Sequence, residues 1–256
     1  MVTILLPAYN EEESFATFLP KFQGALKTLN TPFRIIVCND GSSDRTEELL
    51  GNFSKELPLE VINHKLNRGL GETSRDLFEY AAESCHPDDV IIRMDCDDTH
   101  EPKYIPEMIK KLDEGFDVVI ASRFQPGGGQ LGVSSYRAFI SYCANLFMKL
   151  FFPIKGIREY SCGFRAYRAG KVQEAILFFK GDFIQLRGLG FTCTLEKILK
   201  LNLLGARFTE IPFNLHYNQK LSESKMVGSV TTLGYVVMII LYYWPFGGWR
   251  TIKKLK

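Results

Sequence analysis

None of the six cysteines (Cys38, Cys85, Cys96, Cys143, Cys162, Cys193) stands in a CxxC pair. Zinc ribbons and dithiol redox motifs are excluded, and scattered thiols of this kind fit a reducing compartment better than a disulfide framework. Net charge is nearly absent as well, +2 from 31 basic against 29 acidic residues. No global field therefore draws the chain to nucleic acid, and no nucleic-acid partner is expected. The first residues lack the basic stretch and apolar core of a signal peptide. There is no GxGxxG after the first strand-like run and no GxxxxGK[ST] anywhere, which disfavours a dinucleotide fold or a P-loop. No internal repeat or low-complexity tract occurs. One local absence stands out: from Met226 to Trp249 there is not a single Asp, Glu, Lys or Arg.

What is present is an alternation of strand-like and helical patterns. Val2 to Pro7 reads as a strand, and Glu12 to Leu29 as a helix carrying Phe15, Phe18, Leu19, Phe22 and Leu26. Phe33 to Cys38, Leu59 to Asn63, Val90 to Asp95 and Val118 to Ala121 continue as strands. Arg45 to Phe53, Gly69 to Ala82 and Pro102 to Leu112 continue as helices. Such βαβ repetition predicts a mostly parallel sheet with helices on both faces. Beyond Ser122 the texture changes. Pro126-Gly127-Gly128-Gly129 reads as a flexible loop and Ser134 to Phe152 as a helix bearing Arg137 and Lys149. Ser161 to Tyr167 reads as a loop and short strand, Gly170 to Phe179 and Phe191 to Leu201 as helices, and Arg207 to Leu215 as strand-like.

In an open α/β sheet, ligands bind beyond the carboxyl ends of the strands. The loops there are Ala8-Tyr9-Asn10-Glu11, Asn39-Asp40-Gly41-Ser42-Ser43-Asp44, Asn67-Arg68-Gly69-Leu70-Gly71 and Asp95-Cys96-Asp97-Asp98. Carboxylates crowded at one strand end repel one another unless protons or a divalent cation intervene. Oxygen ligands suit Mg²⁺ or Mn²⁺, which usually arrive with a phosphate-bearing substrate. Each loop also has a plain structural reading. The Asp cluster could be a solvated turn before the Pro102 helix, and Asp40-Gly41 an ordinary turn. Ser43 or Asp44 could simply cap the next helix, and Gly69 and Gly71 could only permit tight turns.

Taken in order, Pro7-Ala8-Tyr9-Asn10-Glu11, Asn39 to Asp44 and Asp95-Cys96-Asp97 resemble the signatures of family 2 glycosyltransferases with the GT-A fold. The later segments are similar to the dolichol-phosphate mannose synthase and polyprenyl-phosphate glycosyltransferase branch. They are Ser122-Arg123-Phe124, Gly127-Gly128-Gly129, Arg137 with Ser141 and Asn145, Ser161 to Tyr167, Gly190-Phe191 with Glu196, and Ser224-Lys225. The resemblance implies an inverting, metal-dependent transferase that moves a sugar from a UDP- or GDP-sugar to a dolichyl or undecaprenyl phosphate. It places Pro7, Tyr9, Glu11, Asp40, Ser42, Gly69, Arg75, Asp95 and Lys225 at the nucleotide sugar, and Asp95 and Asp97 on the metal. Arg123, Arg137 and Ser141 fall at the acceptor phosphate, with Asp97, Arg123 and Arg137 as the groups nearest the chemistry. The branch usually has Arg and Gly where this chain has Gln219 and Ser222.

The chemistry is coherent apart from the name. A phosphate monoester with a second pKa of about 6 is already ionised and nucleophilic near neutrality, so it needs no base. A saccharide or lipid hydroxyl would need one, for which Asp98 or Glu196 are the candidates. A silent nucleotide-binding subunit is a further reading. Residues 1–225 are expected to form the catalytic domain. Residues 226–256 are expected to form a membrane-associating helix or hairpin, with Val230, Leu233, Val237, Ile240, Leu241 and Trp244 on one stripe. Arg250, Lys253, Lys254 and Lys256 follow the uncharged run. A full crossing would put them opposite a cytosolic catalytic domain, so attachment to one leaflet, catalytic domain facing the cytoplasm, is expected.

Overall fold

The computed structural model describes residues 1–27, 31–219 and 228–243. Its frame is a sheet of seven strands in the order β3-β2-β1-β4-β7-β5-β8. These are β1 (Val2–Ala8), β2 (Phe33–Asn39), β3 (Leu59–Asn63), β4 (Val90–Arg93), β5 (Val118–Ser122), β7 (Arg165–Arg168) and β8 (Phe208–Pro212). All run parallel except β7, which lies antiparallel between β4 and β5. The mostly parallel sheet expected from the sequence is present.

Period-2 alternation sorts the strands between two cores. On β1, Val2, Ile4, Leu6 and Ala8 enter one core with Phe15, Phe18, Leu19 and Phe22 of α1 (Glu12–Lys27). Leu50 of α2 (Thr46–Phe53) and Met108 and Leu112 of α4 (Ile105–Asp113) join them. Leu5 enters the other core with Leu77 and Phe78 of α3 (Leu70–Ser84) and Met148 of α5 (Ser135–Phe151). That core is completed by α6 (Ala169–Phe179), α7 (Thr192–Leu203) and α8 (Gly228–Tyr242).

The run expected as a flexible loop is partly ordered. Gly129–Leu131 forms β6, which pairs in parallel with β9 (Asn214–His216). A three-residue strand is too short to give a periodic signal, so only the pairing partner reveals it.

Two helices of the second core, α5 and α8, behave unlike core helices. On α5 the inward residues include Asn145 and Met148, while Tyr136, Phe139, Ile140, Leu146, Phe147 and Leu150 lie exposed. On α8, Thr231, Gly234 and Met238 face the core, and Leu233, Val236, Ile240 and Leu241 face outward. The rings of Phe151 and Tyr243 meet at 5.5 Å, joining the ends of these two helices. Among the described residues no helix is long and apolar enough to cross a membrane. Trp244, Trp249 and the basic tail lie outside the described residues.

Candidate active site

The parallel strands deliver their C-terminal loops to one edge, where β1 and β2 are knitted together. Ser42 Oγ accepts the Asn10 backbone N–H at 3.0 Å, and Asn10 Oδ1 accepts that of Ser43 at 2.8 Å. Asp44 Oδ1 accepts the N–H of Thr46, the first residue of α2, so it caps that helix as its residue type predicts. Gly41 sits at φ +66°, and a Cβ there would come within 2.5 Å of the Leu66 carbonyl carbon. Only glycine lets this loop lie against the one after β3.

Asp40 is buried and fully engaged. Its carboxylate accepts the N–H groups of Arg68 (2.9 Å) and Gly69 (2.8 Å), and His64 Nδ1 lies 2.7 Å from Oδ1. Gly69, at φ +86°, precedes α3. Asp40 thus shapes the turn that opens α3. His64 bridges from Asp40 to Asp76 through Nε2 at 3.0 Å. Arg75 is held by Asp76 at 3.0 and 2.9 Å and by Glu72 at 3.1 Å, so it joins the Asp40 loop through a chain of ion pairs. Pro7 ends the same rim, and its carbonyl accepts the Cys96 thiol at 3.0 Å. Tyr9 is half-buried there and Glu11 is buried, receiving the Ser14 hydroxyl at 3.0 Å.

The Asp cluster divides by environment. Asp95 and Asp97 remain partly open to solvent, whereas Cys96 and Asp98 are buried. Asp98 adopts φ +62°, a left-handed conformation that Asp tolerates, and this turns its carboxylate onto Lys21 at 2.6 and 2.8 Å. Asp97 Oδ1 accepts the Thr99 hydroxyl at 2.6 Å. Asp95 Oδ1 lies 2.6 Å from Nη1 of the buried Arg93. Burial works against the Arg93 charge, but the neighbouring Asp95 carboxylate holds it above its ordinary pKa. His100 Nδ1 accepts the Asp95 backbone N–H at 2.9 Å, and its ring stacks on Phe164 at 5.3 Å. Burial pushes this imidazole below its ordinary pKa, outweighing Asp95 and Asp97, and Arg93 and Arg123 push the same way. His100 therefore sits neutral between the Asp pair and Arg123.

Two accessible carboxylates two residues apart suit a hard divalent cation. Mg²⁺ typically takes one or two protein carboxylates and completes its shell from substrate phosphate and water. No cluster of three or more candidate ligands occurs among the described residues. The donor set fits a metal that arrives with a diphosphate rather than one caged by protein alone.

Beyond β5, Arg123 meets Glu159, which is 0% exposed. Nε reaches Oε2 at 2.8 Å and Nη2 reaches Oε1 at 2.9 Å. Nη2 also donates to Ser161 Oγ (2.7 Å) and Ser141 Oγ (3.3 Å). Burial opposes ionisation of both partners, yet their mutual attraction keeps Glu159 below, and Arg123 above, their ordinary values. The inward Asn145 locks the same corner, accepting the Tyr160 N–H at 2.6 Å and donating to Ser161 Oγ at 3.2 Å. Arg137 lies on α5 one turn before Ser141. Lys225 lies outside the described residues.

The structure brings Asp95, Asp97, Arg123 and Ser141 to one edge of the sheet. Glu196, a candidate base, is elsewhere and committed: it accepts the N–H groups of Gln185 and Leu186 at 3.0 Å, Lys200 Nζ at 2.7 Å and Tyr242 Oη at 2.6 Å. Three site residues escaped the sequence reading: Arg93, Glu159 and His64. Only Arg93 left a signal, a cation closing the apolar run Val90-Ile91-Ile92.

Comparison with known proteins extends the geometry. The sequence model described as "Glycosyl transferase family 2" matches residues 3–175. A dolichol-phosphate mannosyltransferase of Pyrococcus furiosus is 30% identical over 228 residues, covering 89% of this chain and 59% of that protein. An undecaprenyl-phosphate mannosyltransferase of Micrococcus luteus is 29% identical, covering 90% and 88%. An undecaprenyl-phosphate 4-deoxy-4-formamido-L-arabinose transferase of Salmonella paratyphi A is 29% identical, covering 88% and 62%. The chain thus spans about three fifths of the first and third relatives. Among solved structures, glucosyl-3-phosphoglycerate synthase of Mycobacterium tuberculosis, in complex with Mn²⁺, UDP and glucosyl-3-phosphoglycerate, superposes with a TM-score of 0.60 at 17% identity, covering 94% of this chain and 78% of that one. The same enzyme with Mg²⁺ and UDP gives 0.59 at 16%, covering 94% and 78%. At these identities the solved structures establish the fold alone.

Proposed function

The chain belongs to glycosyl transferase family 2, and on that premise we propose that it moves a sugar, with inversion, from a UDP- or GDP-sugar to a polyprenyl phosphate at a membrane surface. The observation that carries the reading is one edge of the sheet holding the open Asp95/Asp97 pair beside the corner where half-buried Arg123 and Ser141 meet the buried Glu159. Polyprenyl-phosphate transferases among the relatives supply the acceptor class.

In this reading Asp95 and Asp97 hold Mg²⁺ or Mn²⁺, which would neutralise charge on the departing diphosphate. Arg93 and the His100 ring keep Asp95 in place from beneath. Asp40 holds the turn at Gly69, and with Pro7, Tyr9, Glu11 and Ser42 it borders the nucleotide; Lys225 is assigned to the diphosphate and Arg75 braces the loop through Asp76. Arg123, Arg137 and Ser141 take the acceptor phosphate, a guanidinium offering a planar fork for its oxygens. A hydroxyl acceptor is less well served, because Asp98 is tied to Lys21 and Glu196 to four donors. Neither candidate base is therefore free to take a proton from a hydroxyl.

Residues 1–225 would form the catalytic domain, facing the cytoplasm. Membrane attachment would involve α8 and the tail beyond it, as the sequence suggests, and also the outward apolar side of α5. Each Phe or Leu removed from water contributes roughly 1.5–3 kcal/mol, so the outward apolar residues of these two helices together suffice for one-leaflet binding.

The test is transfer of label. The purified chain, with Mn²⁺, a polyprenyl phosphate and a panel of radiolabelled nucleotide sugars, should carry label from one donor into the organic phase. Asp97→Ala should lose the metal-dependent part of that transfer. Label appearing only on a saccharide, or undiminished transfer by Asp97→Ala, would sink the acceptor or the metal assignment respectively.

A further inference from the structure

In four ion pairs a buried charged side chain faces an opposite charge. Arg123 meets Glu159, Lys200 meets Glu196, Lys21 meets Asp98 and Arg93 meets Asp95. Two buried cations are left over, Arg165 and Lys197, and they converge with Arg93 on a single spot. Arg165 is the cross-strand partner of Arg93 in the β4–β7 ladder. Its guanidinium donates to the carbonyls of Thr194 and, at 2.7 Å, Tyr160, which pins it toward α7. Lys197 stands one turn beyond Thr194 on α7 and is 1% exposed. Its Nζ lies 4.6 Å from the centroid of Phe78 on α3, whose ring also meets Tyr167 of β7 at 5.3 Å.

The unsatisfied atoms at this junction are nearly all donors. Nε and Nη2 of Arg93, Nε of Arg165 and Nζ of Lys197 make no hydrogen bond, and the Tyr167 hydroxyl, beside Arg165, finds no acceptor. Leaving such groups unpaired in a low-dielectric interior is costly. Water answers poorly, because each molecule brings two protons that need acceptors of their own. A group with negative charge and no protons answers both the donor excess and the surplus positive charge.

We propose that Arg93, Arg165 and Lys197, with the Tyr167 hydroxyl, enclose a buried site for a small monovalent inorganic anion of the halide class. The ligand is not the substrate: the cluster lies beneath the sheet edge, between β4, β7, α3 and α7, with Arg93 alone touching both it and Asp95. Without an anion, burial drags Lys197 from its ordinary 10.5 to about 7 against the pull of Cys193, and Arg93 and Arg165 push down with it while Glu196 pulls up. An occupying anion would reverse that pull. Binding should therefore strengthen as pH falls, since Lys197 takes up a proton with the ion.

The experiment uses bromide as the probe on the full chain. Crystals grown in sodium bromide should show an anomalous peak contacting Lys197 Nζ and the guanidinium groups of Arg93 and Arg165. In solution, replacing gluconate by chloride or bromide at constant ionic strength should raise Tm by about 2–8 °C. Lys197→Met, which keeps length and fills the site with a neutral chain, should remove that halide-specific rise. Bromide found only at the surface, water at the cluster, or an equal halide effect in Lys197→Met would each overturn the site.

Discussion

Replacing Glu159 by Gln tests whether the Arg123 corner is held by charge or only by shape. Oε1 of Glu159 accepts four donors: Arg123 Nη2 at 2.9 Å, the Ser161 N–H at 3.0 Å, the Ser161 hydroxyl at 2.7 Å and the Cys162 N–H at 3.0 Å. Oε2 accepts Arg123 Nε at 2.8 Å. A glutamine can present its oxygen to the group of four, but its NH₂ must then face Arg123 Nε, donor against donor. Removing one partner of a buried ion pair typically costs about 3–5 kcal/mol. Because Gln keeps the volume and most of the bonds, the loss expected in urea unfolding is about 3 kcal/mol, with the m-value unchanged. If Arg123 serves the acceptor, the folded variant should show kcat/KM for the polyprenyl phosphate reduced about tenfold or more, with KM for the nucleotide sugar unmoved. The double change Arg123→Met with Glu159→Leu should cost less stability than the sum of its parts, since an apolar pair leaves no orphaned charge. A Gln variant that loses under about 1 kcal/mol, or additive single changes, would refute the claim that the pair is electrostatically coupled.

Three further outcomes follow from the same geometry. Phe139→Asp on the outer side of α5 should lower partition onto phospholipid vesicles by about tenfold or more at unchanged stability, read by co-sedimentation and thermal melting. Removing residues 226–256 should weaken vesicle binding without abolishing it, because α5 remains. The same truncation should lower Tm, because Met238 leaves the core. In halide-free buffer the folded pKa of Lys197 falls to about 7 against 10.5, so for this group the unfolded chain binds more protons between those values and its contribution to stability rises with pH; Lys200, lowered by burial, works in the same direction. The full window amounts to something on the order of 5 kcal/mol. Lys197→Met should flatten the pH profile between 7 and 10, measured by denaturant titration at each pH.

The order of elements was legible because each has a strong local cause. Ile4, Leu6 and Ala8 alternate with Leu5, and Phe15, Phe18, Leu19 and Phe22 repeat at helical spacing, so strand and helix follow from side-chain period alone. The placement of Asp95 and Asp97 at a strand end was legible for the same reason. The insertion of β7 between β4 and β5 was not, because an antiparallel pairing across some seventy residues leaves no mark in either segment. Asp40 shows a different limit. Its residue type suits a ligand contact, yet a carboxylate that receives the Arg68 and Gly69 N–H groups is equally a turn brace, and only the loop after β3 decides between them. Glu159 had no signal, since a carboxylate in an irregular segment looks solvated until Arg123 is seen opposite.

The helix α5 is the most instructive case, because periodicity is blind to which side is wet. A stripe of Phe139, Ile140, Leu146, Phe147 and Leu150 reads as an ordinary core face, and the polar positions between them as the solvent face. Asn145 settles the orientation. Its amide oxygen takes the Tyr160 N–H and its NH₂ the Ser141 carbonyl and Ser161 hydroxyl, three bonds that fix this polar residue inward beside Arg123. With Asn145 inside, the apolar stripe has to point out, while Phe151 at the end of the helix packs on the core against Tyr243. The same asparagine that holds the Arg123 corner together on the inner side of α5 thus turns the apolar face of that helix outward.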